Sequence, residues 1–481
     1  MKPDSLFESF KRLFIPVYLI LTSLTILWPV FYNGYPLFYS DSALYILESN
    51  LFGHLRHYES LPYSSGIGYP WFIRIVTWRS TMYLVVFAQA LILNVLVYLV
   101  TKSFSPNGKT WKFHLLIIII LSFFSSMGWT TSQLMPDIFT SFLILSVFLF
   151  YDNEQKSLGM YIFLSIIIIT AILSHLTNNI VAVSIIGFLL LVIPLTRPGK
   201  VVLLHFVKKS LTIAMLVCIS LLILVGLNKK YYNFTGLSST SQIFFMARLM
   251  DTGFMPDFLE EKCAIKNYQM CMYKDSLPNS YEGFLWYANS PFYKTGGWDI
   301  QKHKEYEEII ADVLTTPKYL GKFLSNCGIH SLNQLKTFEI GEGFTTIYSE
   351  QSPQYQNALR HFNKKELKVN YLNSRQTQGR LSFDIANKAN YILFYISLVI
   401  ITLTFILCRF DRKIILFTLI IISGVIFNAI GTSSLSSVFN RFQSRVLWLV
   451  PLLACIYFCF YLFPLLLTIF SNVMKKTTNK S

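Results

Sequence analysis

The run Leu37-Phe38-Tyr39-Ser40-Asp41-Ser42-Ala43-Leu44-Tyr45 follows directly on an apolar segment, about residues 13–31, of the length that crosses a bilayer as helix. Asp41 therefore stands where the chain leaves hydrocarbon. Acids are scarce in this part of the sequence. Eight precede Asp251: Asp4, Glu8, Asp41, Glu48, Glu59, Asp137, Asp152 and Glu154. Asp41, Glu48, Glu59 and Asp137 fall on one expected side of the membrane. A carboxylate at a membrane boundary is costly unless something pairs or uses it, so each is a site candidate.

Outward from this run the same pattern recurs. Apolar stretches lie at about 13–31, 81–101, 113–129, 136–151, 159–174, 178–195, 210–227, 390–409, 413–430 and 446–470. Only 14% of residues are charged and 53% are hydrophobic, against roughly 25% charged in a soluble domain. The expected fold is an α-helical polytopic membrane protein with about ten transmembrane helices. The first stretch has no small-residue cleavage site and reads as a retained span.

Ten crossings put both termini on one side. The segments sharing that side hold Lys2, Lys11 and Arg12; Lys102, Lys109 and Lys112; Lys156; Arg197, Lys200, Lys208 and Lys209; Arg409, Arg412 and Lys413; and Lys475, Lys476 and Lys480. The positive-inside rule assigns that side to the cytoplasm. Orientation thus accounts for the net charge of +16, and no nucleic-acid partner is expected.

Three parts follow: an N-terminal transmembrane module, 1–227, with a long first outer loop, 32–80; a polar region, 228–389; and C-terminal transmembrane helices with a tail, 390–481. The middle part sits between the seventh and eighth spans. Its bases and acids are nearly balanced, 19 against 16 over 228–388, as in a water-exposed domain with a core of its own. Helices are expected at Ser241 to Asp251 and Lys302 to Leu314, with turns at Leu277-Pro278-Asn279-Ser280 and Thr295-Gly296-Gly297-Trp298. Cys263 and Cys271 fall in this extracytoplasmic domain and form a candidate disulfide. Cys218, Cys408, Cys455 and Cys459 lie in or beside spans and read as small buried residues.

On the outer face Asp41 follows span one, Asp137 opens span four, His175 ends span five, and Arg441 and Arg445 precede span ten. Each has a plain reading. Asp41 could cap a helix, Ser42 to Leu51; Asp137 could face the N-terminal dipole of its span; His175 could bond a backbone carbonyl; the arginines could anchor to headgroups. Together they suit one chemistry. A polyprenyl-phosphate sugar donor holds its phosphate at headgroup level, and breaking its C1–O bond releases charge that guanidinium groups stabilise. A carboxylate at that level can take the acceptor's proton. Tyr39, Tyr45, Tyr58, Tyr63, Tyr69 and Trp71 could stack on sugars or form an interfacial belt. Glu59 is a further substrate-binding candidate.

A first span followed at once by a long outer loop bearing Tyr39-Ser40-Asp41-Ser42-Ala43-Leu44-Tyr45 resembles the GT-C superfamily of membrane glycosyltransferases. Protein O-mannosyltransferases and the lipid A aminoarabinose transferases are its nearest branches. The run Phe439-Asn440-Arg441-Phe442-Gln443-Ser444-Arg445-Val446-Leu447-Trp448 also looks like the basic, aromatic approach to a late span in such bacterial proteins. The resemblance implies Asp41 as catalytic base and Asp137 as a second acid. On the chemistry of the set, Arg441 and Arg445, with His175, are the expected donor-phosphate contacts, Asp137 and His175 orient the site or bind a divalent ion, and direct displacement inverts the sugar carbon; the location expected is a bacterial cytoplasmic membrane. A divalent ion, Mg or Mn, is the one cofactor raised; membrane lipid, the lipid-linked donor and an extracytoplasmic acceptor are the partners. The chain departs from the mannosyltransferases in lacking an Asp-Glu pair in the first loop, and its soluble region is inserted rather than C-terminal. The other readings are a lipid-linked glycan polymerase or ligase, a transporter or flippase of lipid-linked substrates, and a receptor or scaffold.

Overall fold

The computed structural model describes residues 3–51, 66–78, 80–105, 110–152, 156–196, 198–299, 304–345, 349–352, 355–356, 358–359, 364–408 and 410–478; the side chains of 3–13, 50–51, 196, 231–232, 364 and 473–478 are not described. Glu59, Tyr58 and Tyr63 lie outside the described residues. Among those described, the backbone is helix and turn with no strand beyond an isolated bridge between Leu37 and Gln133. Helix satisfies its backbone polar groups internally, which hydrocarbon demands.

Among the described residues six helices are long and apolar enough to cross a membrane: Tyr83–Phe104, Thr177–Leu195, Lys200–Lys230, Asp384–Leu407, Arg412–Leu435 and Asn440–Asn472. Four shorter apolar helices, Phe14–Ile26, Thr110–Phe124, Ile138–Tyr151 and Leu158–Ser174, coincide with the remaining expected stretches. The chain is a helical, multi-pass membrane protein.

Ile138–Tyr151 is the axis of the bundle. All of its residues are buried, as expected for a helix that is apolar all round. At 14 residues it rises only about 21 Å, short of the roughly 30 Å of hydrocarbon. Phe148 packs 4.5 Å from the Phe417 ring. At Gly424 the helix Arg412–Leu435 comes so close that a Cβ would stand 2.9 Å from Ile144 Cδ1; small residues permit such approaches between membrane helices.

The polar stretch 228–389 is divided. Residues from Ile243 to Phe323 build a separate core around Phe258, Phe284, Phe292, Tyr306 and Tyr319. Helices Ser241–Met250 and Lys304–Thr315 match the expected ones. Cys263 and Cys271 are bridged, their Cα atoms 5.9 Å apart. The later part packs instead on the first loop. Ile340, Phe344 and Phe383 cluster with Leu37 and Trp129. Gln376 brackets Phe38, accepting its N–H at 3.0 Å and donating to its carbonyl at 2.6 Å. Glu366 accepts from Tyr35 Oη at 3.1 Å and Met82 N at 3.0 Å.

Candidate functional site

Backbone pairing brings the first loop to the start of the central helix. Leu37 N donates to Ser132 O at 2.9 Å and Leu134 N to Leu37 O at 3.0 Å. Ser42 Oγ accepts from Tyr39 N and donates to Leu134 O, both at 2.9 Å. These contacts fix Asp41, at the head of the helix Ser42–Leu51, beside Asp137, at the head of Ile138–Tyr151.

The two arginines come from one turn of the helix Asn440–Leu447. Spaced i, i+4, they share a face and repel each other. An acid answers each. Arg441 Nη1 lies 3.4 Å from Asp41 Oδ2, and Arg445 Nη1 lies 3.4 Å from Asp137 Oδ1. Both contacts are single and longer than the roughly 2.7–2.9 Å of a strong charge-assisted bond.

The pairs differ in access. The Asp41 side chain is 42% exposed and that of Arg441 22%. Ser40 Oγ donates to Asp41 Oδ1 at 3.2 Å. The carboxylate accepts from Ser40 and Arg441, and helix Ser42–Leu51 starts on the Asp41 carbonyl instead. The Arg441 guanidinium lies 4.5 Å from the Tyr39 ring and 5.0 Å from that of Phe442. Its Nε is buried with no hydrogen-bond partner among the described residues.

Arg445 is fully buried and its donors are committed. Nε and Nη2 reach Asn428 Oδ1 at 3.2 and 2.8 Å, and Nη2 also reaches Thr177 Oγ1 at 3.1 Å. Headgroup anchoring does not describe it. Asp137, also buried, makes no side-chain cap to its helix, and its Oδ2 has no hydrogen-bond partner among the described residues.

Thr177 carries the network on to His175. Its N–H donates to His175 Nδ1 at 3.3 Å, and its Oγ1 lies 2.7 Å from the same atom. These contacts assign the ring proton to Nε2. Burial, with the Arg445 and Arg441 charges, holds the imidazole well below the usual histidine range. His175 is therefore a neutral group at pH 7. Its loop is held by close backbone approach: a Cβ at Gly66, where φ is +95°, would stand 2.8 Å from Ser174 O, and one at Gly68 2.7 Å from Leu173 C.

Asn428 and Glu342, not among the expected site residues, also hold the arginines. Asn428 holds Arg445 from mid-helix. Glu342 accepts the Arg441 N–H at 2.9 Å. It sits in Gly341-Glu342-Gly343, whose glycines have φ of 111° and 77°, and a Cβ at Gly343 would overlap the Tyr39 ring. An acid flanked by two glycines was the available clue. Burial pushes the Glu342 carboxyl up, against the pull of Arg441.

The aromatic candidates separate too. Tyr39 is half-buried on Arg441, and burial pushes its hydroxyl up to about 12. Tyr45 is almost wholly covered and meets Tyr69 edge to face at 5.2 Å. Tyr69, read as a sugar-stacking face or part of an interfacial belt, is enclosed with its hydroxyl on Gln89 at 2.8 Å; it is the wall behind Tyr45. Trp71 is half-buried on the same helix. Among the described residues no three of His, Cys, Asp and Glu gather to hold a metal ion; Asp41 and Asp137 each face an arginine instead.

Compared with family models, curated proteins and solved structures, the chain matches none.

Proposed function

We propose that this chain is an integral-membrane glycosyltransferase of GT-C type that moves a sugar from a polyprenyl-phosphate donor to an extracytoplasmic acceptor. The observation that carries the reading is the partly exposed Asp41–Arg441 pair, set at the mouth of a buried Asp137–Arg445 pair. A base and a phosphate-binding group stand side by side where span meets water.

In the reaction the acceptor oxygen attacks sugar C1 from the face opposite the phosphate, so the configuration inverts. The C1–O bond breaks and its electron pair stays on the phosphate oxygen. Arg441, with an unused Nε, turns toward that charge, which Tyr39 and Phe442 allow because guanidinium slides on aromatic faces. Turning loosens its hold on Asp41. The carboxylate then takes the acceptor's proton. Arg445 does not touch substrate in this reading. With Asp137, Asn428, Thr177 and neutral His175 it fixes the helix that presents Arg441 and supplies a buried positive field.

The surrounding architecture fits the proposal. The four shorter apolar helices join the six long ones to make ten crossings, with both termini on the basic, cytoplasmic side. The module built on Ile243 to Phe323, with its disulfide, then lies outside a bacterial cytoplasmic membrane and offers the acceptor a surface. A transporter keeps its ionisable groups near the midplane, between broken helices; here both pairs sit at helix ends. The test is transfer of radiolabel from a panel of polyprenyl-phosphate sugars to envelope material by the protein in proteoliposomes. Label appearing in acceptor supports the reading. Movement of intact donor between leaflets without transfer supports a flippase instead.

A further inference from the structure

The central helix carries an acid at each end, and the reaction proposed above uses only the first. Asp152 lies about 22 Å from Asp137, by the rise of the helix between them. It is buried, and lysines from three other segments converge on it. Lys156 Nζ is 3.2 Å from Oδ2 and Lys413 Nζ 3.5 Å from Oδ1. Lys209 Nζ donates to the carbonyls of Tyr151 and Asp152 at 3.1 and 3.0 Å. Lys413 also donates to Ser103 O at 2.7 Å. Lys156 and Lys413 thus neutralise the carboxylate, and Lys209 the negative end of the helix.

Beside this cluster is a cavity of about 230 Å³. Lys102, Lys156, Asp152 and Ser157 form its polar side, and Leu99 and Met160 its apolar side. Lys102 is exposed and comes from the adjoining helix Tyr83–Phe104. The first turn of Leu158–Ser174 opens here as well, with Ser157 accepting the Met160 N–H at 3.3 Å. Among the described residues, four ammonium groups and a helix N-terminus are therefore set against the Asp152 carboxylate and the C-terminal end of its helix. Asp411, preceding Lys413, is committed to Ile414 N and Tyr461 Oη. Lys109 and Glu154 lie outside the described residues.

Such an excess of positive charge in a recess with one greasy wall is balanced by an anion. We propose that this cavity binds a phosphate group, held by Lys102 and Lys156 with the first amides of Leu158–Ser174. A basic recess between membrane helices suits a phosphodiester whose glycerol and acyl portion lies on Leu99 and Met160. Free phosphate shares the chemistry that the lysines recognise. The site stands independently of the transferase reading, since it shares no residue with it.

The test uses the full chain in detergent with two probes. In one arm phosphatidylglycerol is titrated against phosphatidylcholine and bound lipid is counted by native mass spectrometry. In the other, inorganic phosphate is titrated and protection against thermal unfolding is read. The double variant Lys102→Gln/Lys156→Gln is expected to weaken binding of the effective probe at least tenfold. Lys112→Gln, which sits on Trp111 at 5.5 Å, should leave it unchanged. Lys102→Glu reverses an exposed charge without touching Asp152's partners, and keeps the test readable where the double variant does not fold. Phosphatidylglycerol binding lost in Lys102→Glu identifies a lipid site; phosphate protection alone, lost in the same variant, identifies a free anion. Equal binding of both probes by the parent and a folded Lys102→Glu, or binding of neither, overturns the proposal.

Discussion

Arg445 and Asp137, 308 residues apart in sequence, meet at 3.4 Å inside the bundle with side chains 0% and 4% exposed. An ion pair so enclosed is costly to desolvate, and removing one partner strands the other. Arg445→Ala or Asp137→Ala should each lower stability by about 3–5 kcal/mol. The double variant Arg445→Gln/Asp137→Asn should recover part of that loss. Thermal unfolding in detergent measures all three. A loss under about 0.5 kcal/mol for either single variant contradicts a dry, coupled pair.

The outer pair should behave in the opposite way. Asp41 and Arg441 keep contact with solvent, and an exposed ion pair contributes only about 0–1 kcal/mol. Asp41→Asn should therefore unfold within a few degrees of the parent. Changes in its activity then report chemistry rather than folding.

The neutral state of His175 gives acid sensitivity. Its folded pKa lies below the unfolded value of about 6.5. Below pH 6.5 the unfolded chain therefore binds a proton that the folded chain does not. Stability falls as the pH drops, by up to about 1.4 kcal/mol per unit, until the folded pKa is reached. His175→Asn, whose Oδ1 can stand in for Nδ1 as acceptor, should flatten that limb of the stability profile while leaving stability at pH 8 nearly unchanged. An unaltered acid limb would place the titration elsewhere.

Gly343 is a tight constraint on the mouth of the site. Its φ of +77° disfavours any L side chain, and a Cβ there overlaps the Tyr39 ring. Gly343→Ala should cost about 1–2 kcal/mol from the backbone alone and displace Tyr39 from Arg441. The fluorescence of an introduced Tyr39→Trp reporter, compared with and without Gly343→Ala, should shift. An unchanged spectrum would show that the loop and the ring do not touch.

The Cys263–Cys271 bridge closes a short loop, eight residues apart in sequence. Chain-entropy reasoning gives about 2–3 kcal/mol for such a closure. Reduction should expose the Met255–Cys263 helix to protease while the bundle helices stay protected. Equal cleavage before and after reduction contradicts that estimate.

What could be read from the sequence was what repeats locally. Apolar length marks the helices, the helix Ser42–Leu51 begins where a capped segment was expected, and residues confined to helix ends do assemble: Asp41, Asp137, His175, Arg441 and Arg445. The pairing of each arginine with its own acid was not legible, because it depends on how Asn440–Leu447 is rotated against the bundle. Glu342, Asn428 and Thr177 were missed for the same reason; each acts through a contact with no sequence periodicity. The enclosure of Tyr69, with its hydroxyl on Gln89, was not legible, because an aromatic near a membrane boundary looks alike whether it faces water or a neighbouring helix. That Gln376 and Glu366, in a stretch polar by composition, hold the first loop at Phe38 and Tyr35 was not legible either, since each does so through a single side chain.

The most direct measurement compares sugar transfer by the parent, Asp41→Asn and Arg441→Gln in proteoliposomes, under single-turnover conditions with a donor that the parent accepts. If Asp41 is the base and Arg441 the phosphate group, Asp41→Asn loses a factor of roughly 100 or more at neutral pH, and Arg441→Gln falls by a comparable factor. Transfer by a folded Asp41→Asn at the parent's rate would contradict the account, leaving Asp41 as a partner of Arg441 and moving the proton acceptor to another group.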